Sequence, residues 1–162
     1  MDDGWFGDKY PRKNDSSSLG DWVVDKNKLP NGIEGLLSDA KKHGVKFGIW
    51  IEPEMANTTS ELYEKHPDWV LKASERDVVL GRGGTQVVLD LANPAVQDFV
   101  FGVVDNLMTS YPEIDYIKWD ANMSVQNHGS QYLTKDNQSH MYIEFHRGFE
   151  KICQRIRAKY PD

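Results

Sequence analysis

The stretch NPAVQDFVFGVVDNLMTSYPEIDYIKWDAN (93–122) predicts a helix followed at once by a strand, and that order decides how the rest of the chain is read. Asn93 carries an N-cap side chain, and Pro94 suits the first helical position, where its missing N–H is not needed. Val96, Phe99, Val100, Val103, Val104, Leu107 and Met108 then recur at helical spacing and make one apolar face. In IDYIKWD (114–120) the period changes to that of a strand rich in β-branched and aromatic residues. Side chains two apart on a strand point the same way, so Lys118, Asp120 and Asn122 share a side if the extended backbone persists to 122.

The same alternation extends outward from this stretch. LPNGIEGLLSDAKKHG (29–44) places Ile33, Leu36, Leu37 and Ala40 at helical spacing, with Gly44 as a stop. VKFGIWIEPEM (45–55) reads as a strand that Pro53 ends, and SELYEKHPDW (60–69) as a short helix capped by its serine. TQVVLDL (85–91) is a compact apolar strand closing on Asp90. DNQSHMYIEFHRGFEKICQRIRAKY (136–160) predicts a long amphipathic helix with Tyr142, Phe145, Phe149, Ile152 and Ile156 on one side.

Strands alternating with helices predict parallel βα units, either a doubly wound open sheet or part of a (β/α)8 barrel. No glycine-rich phosphate loop follows a strand, which weighs against dinucleotide binding. Instead, polar side chains collect at strand C-termini, where barrel enzymes hold their chemistry: Asp2 and Asp3, then Trp50, Glu52 and Glu54, then Asp90, then Lys118, Asp120 and Asn122. A whole barrel needs about 250 residues. The 162 residues here, with roughly four units, are expected to be about half of a (β/α)8 TIM-barrel catalytic domain, cut from a longer protein.

Composition narrows the function classes. A net charge of −6 and the lack of a basic stripe weigh against nucleic-acid binding. No apolar run approaches the ~18 residues of a membrane span, so no membrane role is expected. The single cysteine, Cys153, excludes an intrachain disulfide framework and a cysteine-based zinc site, and its helical setting predicts a buried thiol. The histidines at 43, 66, 128, 140 and 146 show no metal-binding pair, so no metal is expected.

Several features fit a sugar site, each beside a plainer alternative. Lys118 next to Asp120 keeps the carboxylate ionised, ready as a nucleophile or anchor, and Asn122 offers an amide to a hydroxyl; the alternative is an ordinary ion pair at a strand end. DDGWFG (2–7) sets vicinal carboxylates before two aromatic rings that suit a sugar's C–H face; the alternative is a polar turn with Trp5 and Phe6 in the core. Trp50 and Glu52 share a strand face, with a core tryptophan as the competing reading. GRGGTQ (81–86) puts Arg82 in a flexible glycine-rich loop, where a solvated arginine is the plain expectation. The loop at 124–140 adds Asn127, His128 and Gln131 as candidates against a solvated connector.

DDGWFG, SSLGDW, LPNG, FGIWIEPEM, HPDWVL, LDL and above all YIKWDAN together resemble the α-galactosidases of glycoside hydrolase family 36. The blocks occur in family order through almost the whole chain. The resemblance implies a retaining, exo-acting α-galactosidase that acts on raffinose-type oligosaccharides or melibiose through a covalent galactosyl-enzyme. It implies Asp120 as the nucleophile and Lys118 and Asn122 as contacts to galactose hydroxyls. Asp2 and Asp3 would hold hydroxyls toward O4 and O6, and Trp50 would form an aromatic wall. Arg82 would reach in from a neighbouring loop, where the family usually has a shorter GRNQ-like stretch. The acid/base aspartate is implied on a later strand outside these residues, as are an N-terminal β-domain and a C-terminal cap domain, so the isolated chain is expected to be inactive. No cofactor is implied, and the longer protein is expected to be a homo-oligomer. The compartment, cytoplasmic or exported, stays open. Galactosyl transfer as in raffinose synthases, action on α-N-acetylgalactosaminides, and a non-catalytic sugar-binding module are the alternatives.

Overall fold

The computed structural model describes residues 1–126 and 128–161. Its central feature is a parallel pair, β1 (Gly48–Ile51) and β4 (Tyr116–Trp119), with Gly48 opposite Tyr116 and Trp50 opposite Lys118. On the other edge of β1, the Met1 ammonium donates to the Gly48 carbonyl at 2.6 Å and the Trp50 N–H donates to the Met1 carbonyl at 3.0 Å. One residue bonding to partners two apart is the parallel pattern. Three neighbouring segments therefore run the same way, and their C-terminal ends carry Asp2 and Asp3, Glu52, and Asp120.

Helical side chains share one hydrophobic cluster with this pair. α1 (Gly32–Lys42) buries Ile33 and Leu37, and the chain leaves it through Gly44 at φ +66°, a left-handed conformation that glycine adopts without strain. α3 (Pro94–Ser110) starts as its sequence predicts, with the Asn93 side chain accepting from the Ala95 N–H, and it buries Val96, Val100, Val103, Val104 and Leu107. α4 (Met141–Lys159) lies against α3, joined by Arg155 to Asp98 at 2.7 Å and by the Tyr160 hydroxyl to Asp105 at 2.6 Å. Gly148 brings α4 so near the Leu91 carbonyl that a Cβ there would overlap its oxygen.

Four local expectations need correction. The run 45–55 is not one strand: it breaks after Ile51, and Met55–Asn57 forms a separate β2 with every residue buried. β2 pairs antiparallel with β3 (Gln86–Val88), so TQVVLDL is half of a ribbon and not a further parallel unit. Pro53 ends β1, and the chain returns to pair locally before α3 crosses to β4. Between the two ribbon strands lie α2 (Glu61–Lys65), whose Ser60 cap accepts from the Tyr63 N–H, and a 3-10 turn at Pro67–Trp69. In α4 the buried stripe is Met141, Phe145, Gly148 and Ile152, whereas Tyr142 and Phe149 are 45% and 40% exposed. Residues Lys135–His140 form a 3-10 turn, which starts the α-helical phase at Met141 and rotates that stripe away from Tyr142. Cys153 is half-buried, not fully enclosed.

Trp5 and Phe6 are core residues, 2% and 0% exposed and packed edge to face. They are not free to stack on a sugar, and the plainer expectation for these two rings holds. Phe6 lies parallel to Trp50 at 6.2 Å between ring centres, so the turn after Asp3 is anchored beneath β1.

Candidate active site

The strand ends bring one carboxylate and several donors together. The Asp120 N–H donates to the Ile51 carbonyl at 2.8 Å, which continues the β1–β4 pairing one residue beyond β4. Lys118 and Asp120 therefore stand on the open face of the pair, with side chains 51% and 30% exposed. Asp120 Oδ2 accepts from Asn122 Nδ2 at 2.8 Å and from Trp50 Nε1 at 3.1 Å, and Lys118 Nζ lies 3.7 Å away. Oδ1 meets only the Ala121 N–H, at 3.2 Å, among the described residues. The Asn122 and Trp50 hydrogen bonds, aided by the Lys118 charge, hold the Asp120 carboxyl below the usual aspartate range.

Trp50 reaches this carboxylate in an unexpected way. Its ring is 3% exposed and packed into the core, so the expected aromatic wall is corrected to an indole N–H that fixes Asp120. Asn122 is itself held: its backbone N–H donates to Glu52 Oε1 at 2.6 Å. Glu52 is 1% exposed, and burial pushes its carboxyl upward.

Glu54 has the pKa of a general acid but not the position of one. Burial pushes it up to about 7, while Trp119 Nε1 donates to its Oε2 at 2.6 Å. It is 8% exposed, and its partner Trp119 alternates along β4 with Lys118, so it lies on the side of the strand pair away from Lys118. Asp90 is fully buried and accepts from the Ser130 hydroxyl and the Ala92 N–H, so it ties the 124–140 loop to the start of α3.

The remaining candidates form no hydrogen bond or ion pair with Asp120 among the described residues. The Met1 pairing brings Asp2 to the level of Trp50 and Lys118; Asp2 is exposed, and its Oδ1 accepts from the Asp3 N–H at 2.9 Å. Asp3 is gripped by Arg12, whose Nε and Nη2 donate to its two oxygens at 2.8 and 2.6 Å. Arg82 sits in a tight loop closed by bonds between Gly81 and Gln86, at φ +40° with Gly83 and Gly84 following at +71° and +78°. The two glycines carry the left-handed turn, so the loop is set and not slack. The Arg82 side chain lies 3.5 Å from Asp15 and forms no bond to Asp120 among the described residues. Gln131 is a tether, donating to the Val70 carbonyl at 2.9 Å, His128 is 7% exposed, and Asn127 lies outside the described residues.

Arg12 is the residue that sequence reasoning missed. PRKND (11–15) looks like a solvated charge run, yet Arg12 is 3% exposed. Its partners, Asp3 and Asn57, are not adjacent to it in the chain. Among the described residues no three His, Cys, Asp or Glu side chains gather as a metal site, and no helix is long and apolar enough to cross a membrane. A cavity of about 880 Å³ opens between the 20–27 loop, α2 and α3, lined by Trp22, His66, Trp69 and Phe99. It contains none of the Asp120 cluster.

The chain is similar to known proteins along its whole length. The family model described as Melibiase matches residues 1–162. The α-galactosidase AgaA of Geobacillus stearothermophilus is 40% identical over 161 residues, covering 99% of this chain and 21% of that protein. α-Galactosidase 2 of Pediococcus pentosaceus is 40% identical, covering 99% and 22%. The crystal structure of an α-galactosidase from Lactobacillus brevis superposes with a TM-score of 0.90 at 41% identity, over 99% of this chain and 21% of that one. A glycoside hydrolase family 36 AgaA variant crystallised with raffinose gives 0.91 at 39% identity, over 99% and 22%. The chain thus spans about a fifth of the length of these relatives.

Proposed function

From its membership of the melibiase family, to which the chain belongs along its whole length, we propose that it forms part of a retaining α-galactosidase and carries the nucleophile, Asp120. The observation that carries this reading is the unequal company of the two Asp120 oxygens. Donors from Asn122, Trp50 and Lys118 converge on Oδ2 and keep the group anionic, while Oδ1 accepts only from the Ala121 N–H among the described residues. Oδ1 attacks the anomeric carbon of a terminal α-linked galactose as the bond to the departing oxygen breaks and that oxygen takes up a proton. Water then attacks the same carbon, gives a proton to the base and releases Oδ1.

Retaining glycosidases need a second carboxyl about 5–5.5 Å from the first. Glu54 is shut behind Trp119, and Glu52 is committed to the Asn122 backbone, so the acid/base is assigned outside these residues. On this proposal the 162 residues are one arc of a (β/α)8 barrel that carries three parallel segments of its eight, fewer than the half expected from sequence. The parallel order of the Met1 segment, β1 and β4 supports this, as do their polar C-terminal ends. Asp2, Asp3, Lys118, Arg82 and Asn122 contact sugar hydroxyls, and Trp50 contributes its N–H. Raffinose-family oligosaccharides and melibiose are the proposed substrates; relatives crystallised with raffinose and with stachyose support this class.

The test is Asp120→Gly in the full-length enzyme, assayed on an aryl α-galactoside with and without azide. Hydrolysis should fall on the order of 10⁴-fold or more, and azide should restore turnover with β-galactosyl azide as product. Near-normal hydrolysis without azide would remove Asp120 from the chemistry and leave KWDAN a structural or sugar-binding motif.

A further inference from the structure

We infer that Arg12 is a positioning residue that sets the orientation of Asp3 and, through Asp15, the placement of Arg82, so that two loops bearing sugar contacts move as one unit. The inference rests on the reading of Asp3 and Arg82 as substrate ligands. A guanidinium has five N–H groups in a planar fork, and in Arg12 each has an acceptor. Nε and Nη2 grip the two oxygens of Asp3 at 2.8 and 2.6 Å, and Nη2 also faces Asp15 Oδ1 at 3.4 Å. Nη1 donates to the Ser17 carbonyl at 2.9 Å and to Asn57 Oδ1 at 3.0 Å. The guanidinium sits 5.4 Å from the Phe6 ring centre, and the residue is 3% exposed.

Asp15 extends the chain of charges. Its second carboxylate oxygen lies 3.5 Å from Arg82 Nη2. Its backbone carbonyl accepts from Asn57 Nδ2 at 2.8 Å and from Gln86 Nε2 at 3.2 Å, which pins it to the β2–β3 ribbon that bears Arg82. The order Asp3, Arg12, Asp15, Arg82 alternates in sign and bridges two loops that share no direct bond among the described residues. A two-pronged grip fixes the plane of a carboxylate, which a single point charge does not. The Asp3 side chain remains 31% exposed, so it has lone pairs left for a hydroxyl once its plane is set.

A merely structural Arg12 would affect every substrate equally, which gives the test. The full-length enzyme is assayed on an aryl α-galactoside and on its 4-deoxy and 6-deoxy analogues, as wild type and as Asp3→Asn, Arg12→Lys, Asp15→Asn, Arg82→Ala and the Asp15→Asn/Arg82→Ala double variant. Asp3→Asn identifies the hydroxyl that Asp3 holds, because its loss shrinks on the analogue lacking that group. Arg12→Lys should lower kcat/KM on the parent glycoside about tenfold or more, and by no more than about threefold on that same analogue. Asp15→Asn, at a half-exposed side chain, folds independently of the Arg12 result, and combined with Arg82→Ala it should be no worse than Arg82→Ala alone. An Arg12→Lys loss of equal size on all three substrates, or additive effects of Asp15→Asn and Arg82→Ala, overturns the relay and leaves the Asp3 assignment standing. No loss with Asp3→Asn on any substrate overturns the assignment itself, and the relay with it.

Discussion

At Asp120 one oxygen takes two side-chain donors and the other a single backbone N–H, and the holding is done by neutral N–H groups more than by charge. Asn122 and Trp50 donate to Oδ2 at 2.8 and 3.1 Å, whereas Lys118 stands at 3.7 Å with half its side chain in water. Trp50→Phe keeps a buried aromatic ring and deletes one of these donors. It should lower kcat/KM for an aryl α-galactoside about 5- to 20-fold, the scale of one hydrogen bond to an anion. The proposed nucleophile must be ionised to attack, and removing a donor to its charged form raises its pKa. The acid limb of the kcat/KM profile should therefore move to higher pH, and an unmoved limb would show that the indole N–H does not act on the carboxylate. The spacing of Lys118, Asp120 and Asn122 made Asp120 a candidate from sequence beside an ordinary ion pair, and its proposed role came from the family resemblance. The donor role of Trp50 was not legible, because Trp50 and Asp120, 70 positions apart, are brought together only by β1 pairing with β4.

The elements carry their own tests. Glu54 follows β1, and burial lifts its carboxyl from 4.5 to about 7. A carboxyl with a raised folded-state pKa holds its proton more tightly when folded. Its contribution is most favourable below about 4.5 and is lost as pH rises through about 7. Glu54→Gln retains an acceptor for the Trp119 N–H and removes this titration. Urea unfolding of the variant should show a gain on the order of 2–3 kcal/mol over wild type at pH 8, vanishing below pH 4.5. Burial raises Asp21, Glu52 and Asp90 as well, so the slope flattens without disappearing. At the α4 crossing, Gly148→Ala would drive a methyl group into the Leu91 carbonyl. Overpacking of this kind costs about 1–3 kcal/mol, and a lowered Tm despite the better helix propensity of alanine is the expected result. An unchanged Tm would mean that α4 shifts freely over Leu91.

For the whole molecule, β4 pairs with β1 on one edge and with no strand on the other among the described residues. Tyr116 on its open face is 65% exposed. An unpaired edge beside exposed aromatic surface is a template for association. Expressed alone, these 162 residues should self-associate in sedimentation velocity and fail to hydrolyse an aryl α-galactoside, whereas on the proposed function the longer protein should hydrolyse it. A well-behaved active monomer would overturn both the barrel-arc proposal and the assignment of the acid/base elsewhere.

The sequence by itself determined the helices, the strand carrying Asp120 and the polar strand ends, because caps and periods of two or 3.6 residues are written within a few neighbours. The family was legible for a related reason, since its ordered blocks are local. Only the tertiary structure decided that TQVVLDL joins an antiparallel ribbon, that Trp5, Phe6 and the Trp50 ring are core, and that Arg12 is buried among Asp3, Ser17 and Asn57. A short apolar run does not name its pairing partner, and a charged residue does not name the distant acceptors that allow it to be buried. Those choices are made by contacts between residues far apart in the chain, where no local pattern records them.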